Sequence, residues 1–209
     1  MEITWLGHSC FRLKGKGAVI ITDPYDPQIG YHMGNPAANV VTVSIDLPDH
    51  NYAQEVAGDP MVVDGPGEYE VSGVRITGIA SRSRDDQGHR NTVYVLEMDD
   101  LRLCHLGEMS KVPQADLVEA VGDLDVLFVP VGGRVTLDAS KASETISLLE
   151  PKIVIPMHYK SSLFGPDLEP LDRFLREMGI KEPSPQPKVN VSKSSLPEAT
   201  QMIVMEAKG

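Results

Sequence analysis

The amino-acid sequence predicts a mixed fold of class α/β or α+β, in which two sheets pack face to face with helices outside. Two patterns predict it. The first ~110 residues contain short apolar runs separated by Gly, Asp and Pro, which is typical of β-strands. The remainder alternates helical apolar spacing with fully apolar runs, and such runs indicate strands covered on both faces. Two packed sheets with outer helices accommodate both patterns in one fold.

The first half of the chain is predicted to consist of strands. They cover residues 3–6, 10–13, 18–22, 40–44, 61–63, 69–71, 74–79, 92–97 and 101–106. Asp99 and Asp100 are expected to join the last two as a tight hairpin. No repeat of fixed length is visible, which disfavours a solenoid or a propeller.

The second half is predicted to alternate three helices with three strands. Pro113 suits a first helical position and Gly122 a helix end, Asp138 suits the cap of a second helix, and a third helix should begin at Asp167 and end at Gly179. The strands cover residues 126–131, 152–157 and 202–205. The Pro- and Ser-rich stretch 182–200 is predicted to be loop.

The composition fits a single globular domain over residues 1–209. Of the sequence, 41% is hydrophobic and 23% is charged. The N-terminus lacks the features of a signal peptide and no apolar run could span a bilayer, so a cytoplasmic protein without membrane contact is expected. Cys10 and Cys104 form neither a disulfide framework nor a Cys-x-x-Cys zinc motif. The net charge of −11 disfavours nucleic acid as a partner, because phosphate binding needs clustered Lys and Arg.

Four residues with metal-binding side chains follow predicted strands. Asp49 and His50 come after the strand at 40–44, Glu108 after the strand at 101–106, and His158 after the strand at 152–157. Asp, Glu and His bind zinc and similar ions. Each also has a structural alternative: Asp49 could cap a helix starting near Asn51, either histidine could be a hydrogen-bonded structural residue, and Glu108 could be a solvated loop carboxylate.

Five segments occur in a characteristic order: EITWLGHS from residue 2, TDPY from 22, GPGEY from 65, HLGE from 105 and IPMHY from 155. Together they resemble a bacterial and archaeal branch of the metallo-β-lactamase superfamily, close to the ascorbate-phosphate lactonase-like proteins. The resemblance runs from Glu2 to about Ser161. It implies a four-layer αββα sandwich, with a hydrolase site at the edge where strand-end loops meet.

Members of that superfamily carry a His-x-His-x-Asp-His motif, and the matching residues here are 45–50. Ile45 and Leu47 replace both leading histidines. A further family histidine matches a position near Ser83, Glu108 stands for the bridging aspartate, and His158 matches the last histidine. The resemblance therefore predicts that the first metal position is lost.

The second metal position retains Asp49, His50, Glu108 and His158. It could hold one divalent metal (Zn, Mn or Fe) or none, because a glutamate reaches one methylene further than the family's aspartate.

The resemblance also places His8 and Asp23 at the cleft. His8 would face the site and could partly replace a lost ligand, with a hydrogen-bonded structural histidine as the alternative. Asp23 would orient neighbouring groups. His105 is expected to pack beneath the site, whereas His32 and His89 lie in polar loops and should be exposed.

Two functions from different classes follow. One is a metal-dependent hydrolase of an ester, lactone or phosphoester, working with a single ion. The other is a non-catalytic descendant that binds a small-molecule ligand or a partner, or serves as the subunit of a homo-oligomer.

Overall fold

The computed structural model describes residues 1–84 and 88–208, with only the backbone for 82–84. Two sheets form its centre. The first contains, in spatial order, β12 (Val189–Asn190), β1 (Glu2–Gly7), β2 (Cys10–Lys14), β3 (Val19–Thr22), β4 (Val40–Thr42) and β5 (Met61–Val63). The second contains β13 (Gln201–Met202), β11 (Ile153–Met157), β10 (Val126–Pro130), β9 (Leu101–His105), β8 (Arg90–Met98), β7 (Val74–Arg84) and β6 (Gly67–Val71).

The inner faces of the sheets share one hydrophobic core. Ile3, Phe11 and Val40 of the first sheet pack in the same cluster as Ile76 and Phe128 of the second. Alternate residues of a strand point to opposite faces of its sheet. Ile3 and Trp5 of β1, and Phe11 and Leu13 of β2, therefore enter this core. Burial of apolar surface on this scale is the main term that favours folding.

The outer layers differ between the two sheets. The three α-helices of the described chain, α1 (Ala115–Val121), α2 (Ala139–Leu149) and α3 (Leu171–Glu177), pack in one cluster with the outer face of the second sheet. The outer face of the first sheet is covered by loops with 3₁₀ turns at Pro27–Ile29 and Ala53–Glu55. The expected α+β class with two packed sheets is confirmed, and the helical cover lies mainly on one side.

Both sheets end their parallel strands at the edge where the candidate residues lie. β3, β4 and β5 are parallel, as are β9, β10 and β11. Because β1 is antiparallel to β2, and β2 to β3, β1 ends at the same edge as β3 and β4. Ligand sites in open α/β sheets lie beyond the carboxyl ends of the strands.

Several local predictions are confirmed. Asp99 and Asp100 have φ values of 52° and 62°, the left-handed conformation of a two-residue hairpin turn, and they join β8 to β9. Asp138 caps α2, since its side chain accepts a hydrogen bond from the backbone N–H of Lys141 at 2.9 Å.

Some predicted boundaries are wrong. The third helix begins at Leu171 rather than Asp167, because a residue before proline is disfavoured in helical conformation and Pro170 is the N-cap. The first helix begins at Ala115, two residues after Pro113. The predicted loop 182–200 contains β12, which pairs with β1 because Val189 is buried in the core.

The strand predicted at 202–205 is β13 at Gln201–Met202, and the one predicted at 40–44 ends at Thr42. No helix in the described part of the chain combines the length and the apolar content that a membrane span requires.

Candidate metal centre

The four predicted ligand residues converge at the edge where the parallel strands end. Asp49 and His50 lie in the loop after β4, Glu108 follows β9, and His158 follows β11 directly. His8, in the turn between β1 and β2, joins them. The site is therefore built by loops from both sheets.

Asp49 and His50 are held by a hydrogen-bonded loop. The backbone N–H of His50 donates to the carbonyl of Leu47 at 2.8 Å, and the N–H of Asp26 donates to the carbonyl of Pro48 at 2.9 Å. The Nδ1 of His50 lies 3.0 Å from Oδ1 of Asp49. A carboxylate bonded to Nδ1 fixes the ring and leaves Nε2 as the nitrogen available to an ion.

Two structural alternatives are wrong. Asp49 caps no helix: the nearest one is the 3₁₀ turn Ala53–Glu55, whose N-cap is Tyr52. Glu108 is not solvated, since only 5% of the residue is exposed. A buried carboxylate needs partners, because desolvation of a charge is costly.

Glu108 faces the histidines while its backbone is anchored by Asn91. Its Oε2 lies 3.9 Å from Nδ1 of His50 and 3.7 Å from Nε2 of His158. The N–H of Glu108 donates to Oδ1 of Asn91 at 2.7 Å, and Nδ2 of Asn91 donates to the carbonyl of Leu106 at 2.9 Å. Asn91 thus fixes the loop that presents the carboxylate.

Sequence reasoning missed Asn91, which lies in a strand outside every recognised motif. Gly107, within the HLGE segment, is the one sequence feature that indicates close packing at this loop. It has a φ of 60°, and a Cβ there would lie 2.3 Å from Oδ1 of Asn91 and 2.4 Å from Cβ of Ser44. Only glycine lets the loop approach Asn91 and Ser44 this closely.

His8, His50 and His158 form what we call the unpaired cluster. The ring of His8 lies with its centroid 4.8 Å from that of His50 and 4.2 Å from that of His158. The buried ring nitrogens without a hydrogen-bond partner in the described chain are Nδ1 and Nε2 of His8, Nε2 of His50, and Nδ1 and Nε2 of His158. The alternative of a hydrogen-bonded structural histidine thus has no partner at His158 among the described residues, whereas the nearest candidate at His8 is Oδ2 of Asp49, 3.4 Å from Nε2.

Beneath it, His105, Asp23, Ser44 and Asn91 form the bonded cluster. Nε2 of His105 donates to the carbonyl of Ser9 at 2.9 Å, while Nδ1 accepts from the N–H of Gly107 at 3.3 Å. Asp23 accepts hydrogen bonds from the backbone N–H of Ser44 at 2.7 Å and from its Oγ at 2.6 Å. His105 lies beneath the site as predicted, and Asp23 orients the start of the loop that carries Asp49.

The charges of the site are tightly coupled. Burial lowers the pKa of His8 well below its ordinary value, which favours the neutral imidazole. Burial opposes the charge on His50 too, but the Asp49 carboxylate outweighs it and raises the pKa of His50 to about 9. Burial alone would raise the pKa of Asp49, yet the adjacent His50 charge holds it well below its ordinary value. Asp49 is therefore ionised at neutral pH.

Two overlapping donor groups occur among residues 1–84 and 88–208. One consists of His8, His50 and His158, the other of Asp49, Glu108 and His158, and within each group the ligand atoms lie within 4.8 Å of one another. Donors about 2.1 Å from a tetrahedral ion lie about 3.4 Å apart, so ligand atoms up to 4.8 Å apart would have to approach by at most about 1.4 Å. Imidazole and carboxylate donors with unpaired buried nitrogens fit a divalent metal.

A cleft of about 580 Å³ opens over the cluster, within the size range of small-molecule sites. Asp49 and His158 form part of its floor. Its apolar lining consists of Ile29, Val135, Leu163, Phe164, Pro166 and Leu168. At the rim Nη1 of Arg134 lies 2.6 Å from Oδ2 of Asp167, and both side chains are exposed.

The remaining predicted residues have mixed outcomes. Ile45 is buried and Leu47 half-buried in the loop after β4. Ser83 lies in β7, but its side chain is outside the described residues. His32 is exposed as expected, whereas His89 is half-buried.

The family model described as the Beta-lactamase superfamily domain matches residues 2–158, most of the chain. This chain belongs to that superfamily. The expected resemblance to metallo-β-lactamases is thereby confirmed, and the sandwich of two mixed sheets agrees with it.

Proteins of this superfamily with similar sequences come from archaea and bacteria. A UPF0173 protein of Pyrococcus furiosus is 27% identical over 183 residues, covering 76% of this chain and 83% of that protein. A UPF0173 metal-dependent hydrolase of Thermococcus onnurineus is 25% identical over 198 residues, covering 77% of this chain and 85% of the relative.

Among solved structures, a proposed Zn-dependent hydrolase of the metallo-β-lactamase superfamily from Thermotoga maritima is 38% identical, with a TM-score of 0.83 over 98% of this chain and 97% of that one. A metallo hydrolase of Ignicoccus hospitalis has a TM-score of 0.66 at 18% identity, covering 91% and 99% of the two chains, and shares the fold.

Proposed function

We propose that this chain is a metal-dependent hydrolase that works with a single divalent ion, held by Asp49, His50, Glu108 and His158. The observation that carries the proposal is the buried, unpaired state of the histidine nitrogens. Buried polar atoms in folded proteins are nearly always hydrogen-bonded, and each exception calls for an explanation such as an ion. The metal-dependent hydrolase relatives support the same conclusion.

The proposal includes the loss of the superfamily's first metal position. Ile45 and Leu47 stand where the family motif has two histidines, and neither aliphatic side chain can bind a cation. Ile45 is only 2% exposed, so its aliphatic side chain fills a buried position, and an ion beside it would lose water without gaining a donor there. Zinc, manganese or iron would each suit the remaining donors.

A divalent ion held there would supply Lewis acidity, polarising a carbonyl or phosphoryl oxygen and lowering the pKa of water. The chain's own residues contribute positioning. Asp49, partly exposed to the cleft and ionised, would hold the ion and also fixes the ring of His50 through its Nδ1. The buried Glu108 carboxylate balances the positive charge of the site.

The cleft supports an ester, lactone or phosphoester with an apolar group as substrate. Leu163 and Phe164 line it, while Arg134 and Gln28 offer polar contacts near the opening. An apolar wall with a few convergent polar groups is typical of small-molecule sites.

A non-catalytic ligand-binding or assembly protein is the second candidate. The aliphatic residues at 45 and 47 favour it, since a superfamily hydrolase with two ions stabilises both the attacking and the leaving oxygen and a single ion does not. The two candidates differ in metal-dependent turnover.

The deciding experiment is a metal count followed by an activity panel. Full-length protein supplemented with Zn, Mn or Fe is expected to retain about one equivalent of ion after dialysis, because a closed ligand set holds its metal. Turnover of an ester, lactone or phosphodiester that is lost in His158→Ala and kept in His32→Ala supports the hydrolase. Bound metal without turnover supports the second candidate, and less than about a tenth of an equivalent contradicts the metal site itself.

The loss of the first position has its own test. The combined variant Ile45→His, Leu47→His, Ser83→His and Glu108→Asp is expected to raise the metal content towards two ions per chain. Unchanged metal content would show that the family ligands have been matched to the wrong residues.

A further inference from the structure

His8, in the turn between β1 and β2, differs from the buried His105 in its hydrogen bonding. Its side chain is fully buried, and neither ring nitrogen has a hydrogen-bond partner in the part of the chain that the structure describes. The ring of His105 is equally buried, but both of its nitrogens have hydrogen-bond partners. Burying an imidazole without replacing its hydrogen bonds to water costs free energy. The buried position of His8 therefore calls for an explanation.

The ring of His8 is surrounded by side chains that could bind the same ion. His50 and His158 lie on two sides, with donor atoms within 4.8 Å of those of His8. Nε2 of His8 is 3.4 Å from Oδ2 of Asp49, longer than the ~2.7–3.2 Å of an ordinary N–H···O hydrogen bond. The ring of Phe164 covers a further side at a centroid distance of 4.5 Å.

We propose that His8 is itself a metal ligand and that His8, His50 and His158 form a three-imidazole face for the ion. This inference rests on the proposed function and adds His8 to its ligand set, so that three imidazoles and the carboxylates of Asp49 and Glu108 would hold the ion. His8 thereby returns an imidazole to a site from which the 45–50 loop has lost two.

The backbone holds His8 in place before any ion arrives. Its φ of 54° is left-handed, which directs the side chain of this turn residue away from the strand path. The carbonyl of His8 accepts hydrogen bonds from Nε1 of Trp5 at 3.0 Å and from the N–H of His158 at 3.2 Å. Two of the three imidazoles are therefore fixed to each other through the main chain.

A nitrogen-rich site has a predictable preference among metals. Imidazole suits Zn, Fe, Co and Ni, whereas Mg and Ca prefer oxygen donors. The three-histidine face therefore predicts tight binding of Zn and Co and weak binding of Mg, which a site of carboxylates alone would not give.

The test compares His8→Asn with His32→Asn in the full-length protein. Asparagine tolerates the left-handed backbone but its amide is too short to replace the imidazole. We expect Zn and Co dissociation constants, measured by chelator competition, to rise at least tenfold in His8→Asn and to stay unchanged in His32→Asn. The visible absorption of bound Co should change only in His8→Asn.

A second measurement counts the imidazole ligands directly and can be made on the wild-type protein alone. X-ray absorption of the Zn-loaded protein should show three imidazoles per ion, and two in His8→Asn if that variant retains metal. Wild-type metal affinity and an unchanged Co spectrum in His8→Asn, or two imidazoles in the wild-type protein, would overturn the role of His8 while leaving the proposed function intact. A wild-type protein that binds neither Zn nor Co would refute both.

Discussion

The unpaired cluster and the bonded cluster both contain fully buried histidines, yet the hydrogen bonding of those histidines differs. His105 in the bonded cluster is fully buried and has partners for both nitrogens. His8 and His158 in the unpaired cluster are 2% exposed and have none among the described residues. Burial alone thus does not distinguish these two kinds of histidine, whereas an account of their hydrogen bonds does.

Substitutions in the two clusters should therefore change different properties of the protein. Substitution in the bonded cluster should destabilise the fold, because partners lose their hydrogen bonds. Substitution of His8 or His158 should weaken metal binding while breaking no hydrogen bond of the metal-free fold. The following predictions test that division.

The largest effect is expected for His158→Ala. It removes the residue shared by both donor groups, so the Zn dissociation constant should rise by about 100-fold or more, at least as much as the loss of a supporting group costs. The free energy of unfolding of the metal-free protein should fall only by the packing that the buried ring provides, since no hydrogen bond of the ring is lost. Chelator competition and urea denaturation measure the two quantities, and a destabilised fold with unchanged Zn affinity would reverse the assignment of the clusters.

His105→Ala should show the opposite behaviour. The carbonyl of Ser9 and the N–H of Gly107 lose their partner in a buried setting, and we expect the free energy of unfolding to fall by about 2–3 kcal/mol. Urea denaturation of the metal-free protein gives the value. The matched control His32→Ala, at an exposed position, should stay within about 0.5 kcal/mol of wild type.

The ion pair of the site predicts a pH effect on the metal-free protein. The pKa of His50 is about 9 in the folded protein and about 6.5 in the unfolded chain, so its contribution is fully present below pH 6.5 and is lost as the pH rises through 9. Between pH 6.5 and 8 the free energy of unfolding should fall by up to about 2 kcal/mol.

Asp49→Asn is the control for that pH effect. Asp49, whose pKa is lowered, stays ionised throughout the range from pH 6.5 to 8 in the wild-type protein. Without its carboxylate the decline should largely vanish. A slope that survives in Asp49→Asn would mean that another group causes it.

The smallest effect is expected for Asn91→Ala, because Asn91 is the member of the bonded cluster that hydrogen-bonds the Glu108 loop. The variant frees the backbone N–H of Glu108 and loosens the loop that presents its carboxylate. Such supporting groups typically contribute about 10- to 100-fold to metal affinity, and we expect a value near tenfold. Isothermal titration with Zn measures it, and a loss as large as that in His158→Ala would make Asn91 more than a support.

Much of the fold followed from local patterns. The apolar runs predicted most strands because a two-residue period or a continuous apolar stretch reflects burial on one or both faces. The errors lie where tertiary contacts decide: β12 is too short to show a period, and it forms because β1 offers an unpaired edge next to the core. The start of α3 was predicted too early because the residue before Pro170 is disfavoured in helical conformation. The apolar spacing used for the prediction does not reflect that restriction.

The sequence by itself determined the superfamily, the strand-end positions of Asp49, His50, Glu108 and His158, and the aliphatic residues at 45 and 47. These are properties of residue type and order along the chain. The tertiary structure alone decided that the ring of His8 lies unpaired between His50 and His158 while that of His105 is fully bonded. A hydrogen bond depends on a partner from a distant part of the chain within about 3 Å, and one sequence contains no such distance.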